Sequence, residues 1–256
     1  MRPGLVLVLV VALLGMPAVA QPRSDSQAQS ESPGQSEGPS QTLLASVHLA
    51  SVIELPLFLR LYRARVPAAQ HTTYQGSNTL LYDLSGASTI QIGGGAARPL
   101  AEGAGVFIAA GQEATIIAAD AAPTDLLLFL LSARPNEGKR LLSRPAVAQE
   151  LYRTGDPLPG LKAGPYEFSL VRLTFPPGMP TDPAHYRSGA AIDYVLAGTG
   201  ALTADGKTEE GSAGMALFEG FGWVHSLANP GEMPLVLLQA TISREGDPAV
   251  VRATPK

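Results

Sequence analysis

The chain has 256 residues, of which 45% are hydrophobic and 16% charged, which is too apolar for general disorder. Its 18 basic and 22 acidic side chains leave a formal charge of −4, so there is no electrostatic footprint for DNA or RNA. With no cysteine there can be no thiolate nucleophile, disulfide, Cys-ligated zinc or iron–sulfur cluster, and His48, His71, His185 and His225 are the whole imidazole supply.

In chain order, Met-Arg-Pro-Gly is followed by an apolar run from Leu5 to Leu14 and by Ala18-Val19-Ala20 before Gln21. A charged start, a short apolar stretch and an A-x-A site predict a signal peptide cleaved after Ala20, hence export to a periplasmic or extracellular space. The run is too short to span a bilayer, so no integral membrane span is expected after cleavage. Gln21 to Thr42 is rich in Ser, Gln, Pro and Gly and reads as a disordered tether. Short β-rich segments then follow at Leu57–Val66, Thr79–Leu84, Thr89–Ile92, Gly105–Ala109, Ala114–Ala118 and Leu126–Ser132. A charged, proline-containing stretch interrupts them, and Pro145 to Arg153 is predicted as a short helix, with Pro tolerated near its start and Gly155 ending it. Strands resume at Glu167–Phe175, Ile192–Ala197, Gly200–Ala204, Met215–Phe218, Trp223–Ala228 and Leu235–Ile242.

The two β-rich halves repeat. Tyr82-Asp83-Leu84-Ser85-Gly86 matches Tyr194-Val195-Leu196-Ala197-Gly198 at an offset of 112, and Gly103 and Gly111 match Gly214 and Gly222 at an offset of 111. The apolar run Leu126–Leu131 answers Leu235–Leu238. A nearly constant offset through separated matches predicts duplicated all-β modules, each the size of a small sandwich or barrel.

The second module carries Pro177-Gly178, His185-x-Arg187, Asp193-Tyr194-Val195-Leu196-Ala197-Gly198-x-Gly200, and then Gly214 to Phe218, Gly220, Gly222, His225 and Asn229-Pro230-Gly231. This pattern resembles the two motifs of the cupin superfamily, and the duplication makes the chain similar to a bicupin. The resemblance implies an all-β fold of two tandem jelly-roll barrels joined by a connector with a short helix. The expected division is signal 1–20, tether 21–42, degenerate N-terminal barrel 43–133, connector 134–163, C-terminal barrel 164–243 and tail 244–256.

The resemblance also implies where a metal would sit, because cupin ligands are two histidines and a glutamate from the first motif and a histidine from the second. Those positions here are His185, Arg187, Ala191 and His225, so two ligands remain. In the first module the second-motif histidine falls on Ala114, and His71 lies two residues upstream of the first-motif position. Two imidazoles bind a divalent metal weakly, since catalytic sites add a third protein ligand. Asp193 could complete a His185–Asp193–His225 set, although it lies about 6.6 Å along the strand from Ala191 at about 3.3 Å per residue. Arg187, if it points inward, suits a carboxylate, phosphate or enolate oxygen, because a guanidinium donates in a fork and keeps its proton; otherwise it is a rim arginine. Trp223 shares strand parity with His225 and either walls the pocket or fills the barrel. Glu219 and Tyr186 are rim candidates, while His48 and His71 read as solvent-facing.

The expected function is binding of a small anionic or carbonyl-bearing molecule by His185, Arg187, Asp193, Trp223 and His225, without an obligatory cofactor. An alternative is a metal-dependent dioxygenase, isomerase or decarboxylase using His185, His225 and Asp193, or a metal-free enzyme with a histidine as general base. A third is a structural module in which barrel edges form a homodimer.

Overall fold

The computed structural model describes residues 38–52, 56–133, 140–158, 161–179 and 183–253. The predicted signal segment, and the predicted tether up to residue 37, lie outside the described residues.

The chain enters through a long strand, β1 (Ser40–Val52). The first barrel follows as β2 (Phe58–Val66), β3 (His71–Gln75), β4 (Asn78–Ser85), β5 (Ser88–Ile92), β6 (Arg98–Leu100), β7 (Gly105–Ile108), β8 (Glu113–Ala118) and β9 (Thr124–Ser132). The connector contains β10 (Val147–Arg153). The second barrel runs through β11 (Gly164–Phe175), β12 (His185–Arg187), β13 (Ala190–Ala197), β14 (Thr199–Ala204), β15 (Lys207–Ser212), β16 (Ala216–Glu219), β17 (His225–Ala228) and β18 (Leu235–Arg244). A last strand, β19 (Val250–Arg252), closes the described chain, and no helix occurs among the described residues.

Every predicted strand is present, and the predicted helix is not. Residues 147–153 instead form β10, which pairs antiparallel with β2 from Val147↔Arg65 to Arg153↔Arg60. The free edge of β2 supplies partners for the backbone that a helix would have satisfied internally, so tertiary pairing overrides a weak local preference. Leu151 and Tyr152 pack on the core from this strand, and Glu150 accepts two hydrogen bonds from the buried Arg60.

Each barrel is a pair of facing sheets. The first has the orders β10-β2-β9-β4-β7 and β3-β8-β5-β6; the second has β1-β11-β18-β13-β16 and β15-β14-β17-β12-β19. The division drawn from sequence puts residues 40–42 of β1 in the disordered tether, the rest of β1 in the first barrel and β10 between barrels. In the structure β1 extends the second barrel's sheet along β11, and β10 extends the first barrel's.

The described residues belong to one compact unit. Leu80, Tyr82, Leu127 and Phe129 of one large sheet join Ile192, Tyr194, Leu238 and Ala240 of the other in one apolar cluster, so the two sheets are covered on their outer faces by each other. The opposite faces of the same strands line the two barrel interiors, where Leu81, Leu126 and Leu128 serve the first and Val195, Leu235 and Leu237 the second. This double burial explains why β9 is apolar along nearly its whole length and buried at every position.

The strand pairings align the two copies residue by residue. In the first barrel Tyr74 faces Ala114, Thr79 faces Ile108 and Leu81 faces Leu128. In the second, His185 faces His225, Ala191 faces Glu219 and Asp193 faces Gln239. One copy therefore fills this end of its interior with a plug: Tyr74 is fully buried and its hydroxyl hydrogen-bonds the Ser77 carbonyl and Thr79 Oγ1. The other copy places imidazoles, carboxyls and an amide on the same scaffold positions.

Candidate functional site

The site of the second barrel is assembled by β12, β13, β16, β17 and β18. The Ser188–Gly189 bend between β12 and β13 leaves β12 paired with β17, where His185 lies directly across from His225, with ring centroids 4.4 Å apart and ring planes at 63°. His225 is 2% exposed, and its Nδ1 lies 2.8 Å from the Trp223 carbonyl oxygen. A carbonyl only accepts, so Nδ1 carries the proton and Nε2 faces inward. His185 is held the same way, with Nδ1 3.1 Å from the Pro183 carbonyl, and is half-buried.

Arg187 points inward and is 5% exposed; its Nε donates to Glu219 Oε2. The other carboxylate oxygen of Glu219 lies 3.5 Å from His225 Nε2, an ionic rather than a hydrogen-bonding distance. Glu219 is 2% exposed and thus belongs to the interior, not to the rim where sequence reasoning put it. It stands across β13 from Ala191, so β16 supplies a carboxylate beside the position that lacks one. Asp193 is fully buried beside it, and its Oδ1 accepts a 2.8 Å hydrogen bond from Gln239 Nε2.

Burial and charge sort these groups. Burial tends to raise the Glu219 pKa, but Arg187 and His225 outweigh it and hold the carboxyl well below its usual range. Burial, then the neighbouring negative charge of Glu219, pushes Asp193 well above that range. For His225, burial works against the charged form, but Glu219 overcomes it and raises the imidazole pKa. Arg187, Glu219 and His225 thus form a line in which each favours the charged form of its neighbour, beside Asp193, whose neutral form is favoured.

These residues do not fit a divalent metal as they are arranged. Two histidines and a carboxylate would be required, yet the Glu219 carboxylate is committed to Arg187 and Asp193 to Gln239. The cation that balances Glu219 is already the guanidinium, and a metal beside it would meet like charge. No group of three or more metal-ligating side chains converges among the described residues. Asp193, the carboxylate expected to complete a His185–Asp193–His225 set, lies against Gln239 and Glu219 instead. Three buried polar atoms at this point make no hydrogen bond, Ser188 Oγ, Asp193 Oδ2 and His225 Nε2, the last with only its ionic contact to Glu219.

A cleft of about 310 Å³ opens beside the two histidines. Its polar lining is Gln41, His185, Arg187, Gln239 and Arg252, and its apolar lining is Leu173, Phe175, Pro183 and Val250. Thus β1 and β19 each contribute to it, and sequence reasoning missed Gln41, Gln239 and Arg252. A constant offset carried along β9 and β18 would have exposed Gln239, because it pairs with Asp193 where Leu128 pairs with Leu81. Trp223 does not line the cleft. It is 48% exposed, packs edge-to-face on Phe218 at 5.7 Å and lies over Gly220, where any Cβ would come within 2.5 Å of the indole. Its part in the site is the carbonyl that orients His225. Tyr186 is half-buried, next to Val251 of β19 in register. His71 is exposed, and the exposed His48 lies 3.4 Å from Glu245.

Residues 171–241 match the Cupin domain family. No protein among the curated sequences matches the chain. Among solved structures, an oxalate decarboxylase described for its substrate binding mode and reaction specificity switch aligns with TM-score 0.54 and 15% identity, over 75% of this chain and 71% of its own. A Bacillus subtilis oxalate decarboxylase, described for its Mn(II) centres, aligns with TM-score 0.55 and 14% identity, over 79% and 74%. At such identities the likeness is one of fold. Residues 171–241 thus carry a Cupin domain, and the paired barrels, with the motif residues on β12, β13, β16 and β17, give the chain a bicupin fold.

Proposed function

We propose that this protein is an exported, non-catalytic bicupin whose second barrel binds a small anionic or carbonyl-bearing molecule in the cleft beside His185, and that an internal Arg187–Glu219 pair stands in place of a metal. The observation that carries the reading is the comparison between copies. A fold that is satisfied by Tyr74, Ala114, Ile108, Leu81 and Leu128 in one barrel does not need His185, His225, Glu219, Asp193 and Gln239 in the other. Buried polar groups cost free energy unless paired, so a set without structural necessity points to function.

The chemistry of the lining favours an anion. Its polar members are two arginines, two glutamines and an imidazole, with no carboxylate among them. Glu219 lies behind Arg187 and fixes the guanidinium in position, while His185 and the amide of Gln239 add directional donors. Export rests on the N-terminal pattern described above.

A second reading, a metal-dependent enzyme, draws on the buried Nε2 of His225, which makes no hydrogen bond and lies next to His185. It needs Arg187 to leave Glu219. The two readings separate in one experiment on the purified mature chain: metal analysis combined with titration of small carboxylates, oxalate among them, against neutral amides. Binding of carboxylates by metal-free protein supports the proposal. Near-stoichiometric iron, manganese, zinc or nickel that is lost in His225→Ala would overturn it, as would failure of every carboxylate to bind.

A further inference from the structure

The last described strand repeats a feature of the connector. In the first barrel Leu142 bridges to Tyr74 and the Ser143 N–H donates to the Thr73 carbonyl at 2.9 Å. In the second, Arg252 of β19 pairs with His185 and the Ala253 N–H donates to the Ala184 carbonyl at 2.8 Å. Since Tyr74 and His185 hold equivalent positions, so do Leu142 and Arg252. Each barrel therefore has a short covering strand at the same edge. In the first barrel the covering residue is a leucine, 2% exposed and packed with Tyr74, and it completes the plug. In the second, the same position carries an arginine at the margin of the cleft.

The rest of the cleft shows what this arginine faces. Arg187 is bound to Glu219, whereas Arg252 is exposed at the mouth, on the strand that also brings Val250. Leu173, Phe175, Pro183 and Val250 form an apolar wall. A volume of about 310 Å³ is at the small end of ligand pockets, enough for a single ring or a chain of about six carbons. Resting on the ligand-site reading above, we infer that the ligand is an organic monocarboxylate with an apolar body: its carboxylate sits in the fork of Arg252 and its body against Leu173, Phe175 and Val250. The tail strand is then part of the binding site. A bare dianion such as oxalate or phosphate leaves the apolar wall uncovered and is disfavoured.

The test uses the full mature chain with benzoate and hexanoate as probes, benzamide as the neutral match of benzoate, and oxalate and inorganic phosphate as small anions. Affinities are read by calorimetry, and the fold of each variant is checked by its thermal midpoint without ligand. Benzoate is expected to bind at least about tenfold more tightly than benzamide or oxalate, a discrimination ordinary for a charge-assisted fork on a carboxylate. Arg252→Leu, which copies the residue of the first barrel, is expected to keep the thermal midpoint and to bind benzoate no better than benzamide. Arg252→Lys, with charge but no fork, should fall between. If wild type prefers benzoate to benzamide and Arg252→Leu keeps that preference, the head-group assignment is overturned while the ligand site stands. Tighter binding of oxalate or phosphate than of benzoate overturns the apolar-body assignment alone. If no carboxylate binds below about 10 mM, the underlying site reading fails with it.

Discussion

Tyr74 and His185 occupy the same register position in the two barrels, each facing its own copy's second-motif position, Ala114 in one and His225 in the other. The tyrosine hydroxyl and ring do in the first barrel what solvent and a ligand would do in the second. Truncating the plug by Tyr74→Ala should cost about 3–5 kcal/mol, as for other large buried aromatics, whereas Tyr74→Phe loses only hydroxyl bonds to Ser77 and Thr79, about 1–2 kcal/mol. Urea denaturation of both variants checks the order. Carboxylate binding by the second barrel should be unchanged in Tyr74→Phe.

The Arg187–Glu219 pair should behave as a buried ion pair. Glu219→Gln leaves the guanidinium uncompensated and is expected to cost about 3–5 kcal/mol, and so is Arg187→Met. The double variant Arg187→Met with Glu219→Ile, which takes the isoleucine that Ile108 provides in the first barrel, should recover most of that loss. A double-mutant cycle by urea denaturation measures it; a strictly additive result would contradict the pairing. Removing Glu219 also removes the cause that raises the His225 pKa, so an NMR titration of the His225 ring in Glu219→Gln should show a lower midpoint than wild type.

Much of this architecture was legible beforehand because periodicity and glycine punctuation report the burial of strands directly. The runs at Leu126–Leu131 and Leu235–Leu238 are apolar on both faces because each strand is covered on one side by its own barrel and on the other by the neighbouring barrel. What stayed hidden were the short strands β3, β6, β12 and β15 and the strands whose existence depends on an edge elsewhere: β1 on β11, β10 on β2 and β19 on β12. A polar sequence such as Val147–Arg153 carries little sign of its partner, and helix and edge strand are equally open to it. The candidate site was half visible for the same reason. His185, Arg187 and His225 fall in motifs, but Glu219 is placed in the interior, and Gln239 and Arg252 are recognised, only when the pairing shows which apolar residue each replaces.

Protonation should link acid to stability in a direction set by the first barrel as well. Asp83 is fully buried, hydrogen-bonded to Ser88 Oγ at 2.8 Å, with its Oδ1 unpartnered, at the position where the second barrel has Val195. Burial, with smaller contributions from Glu102 and Asp125, raises its pKa to about 6. A folded-state pKa above the unfolded one means that the folded state holds the proton more tightly. The associated stability is complete below about 4 and disappears as pH rises through about 6. The raised values of Asp193 and His225 act in the same sense. Glu219 acts oppositely, its stabilisation being lost only as pH falls through its depressed value. Unfolding free energy should therefore decline between about pH 4 and pH 7, and Asp83→Asn should flatten that slope and be the more stable protein at pH 8, by up to about 3 kcal/mol. Urea denaturation series for both proteins across this range supply the check, and a wild type whose stability rises over it contradicts the assignment.

Gly189 is the point where the site depends most on a missing side chain. It links β12 to β13, and a Cβ there would lie 1.7 Å from the Ile242 carbonyl oxygen and 3.0 Å from the Ser243 Cα. Those are backbone atoms of β18, the strand that pairs with β13 from Ala190↔Ile242 onward, so no side-chain rotation relieves the clash. Gly189→Ala must either part β13 from β18 or swing β12 away from β17, and the second route separates His185 from His225 and Arg187 from Glu219. The expected cost is at least about 3 kcal/mol, in the range of severe backbone overpacking. If the variant still folds, carboxylate binding should be lost while the pH dependence due to Asp83 in the first barrel persists. Denaturation across pH together with calorimetric titration separates local damage at the second site from failure of the whole fold. Unchanged stability and binding in Gly189→Ala would show that the β12–β13 turn is not packed as described.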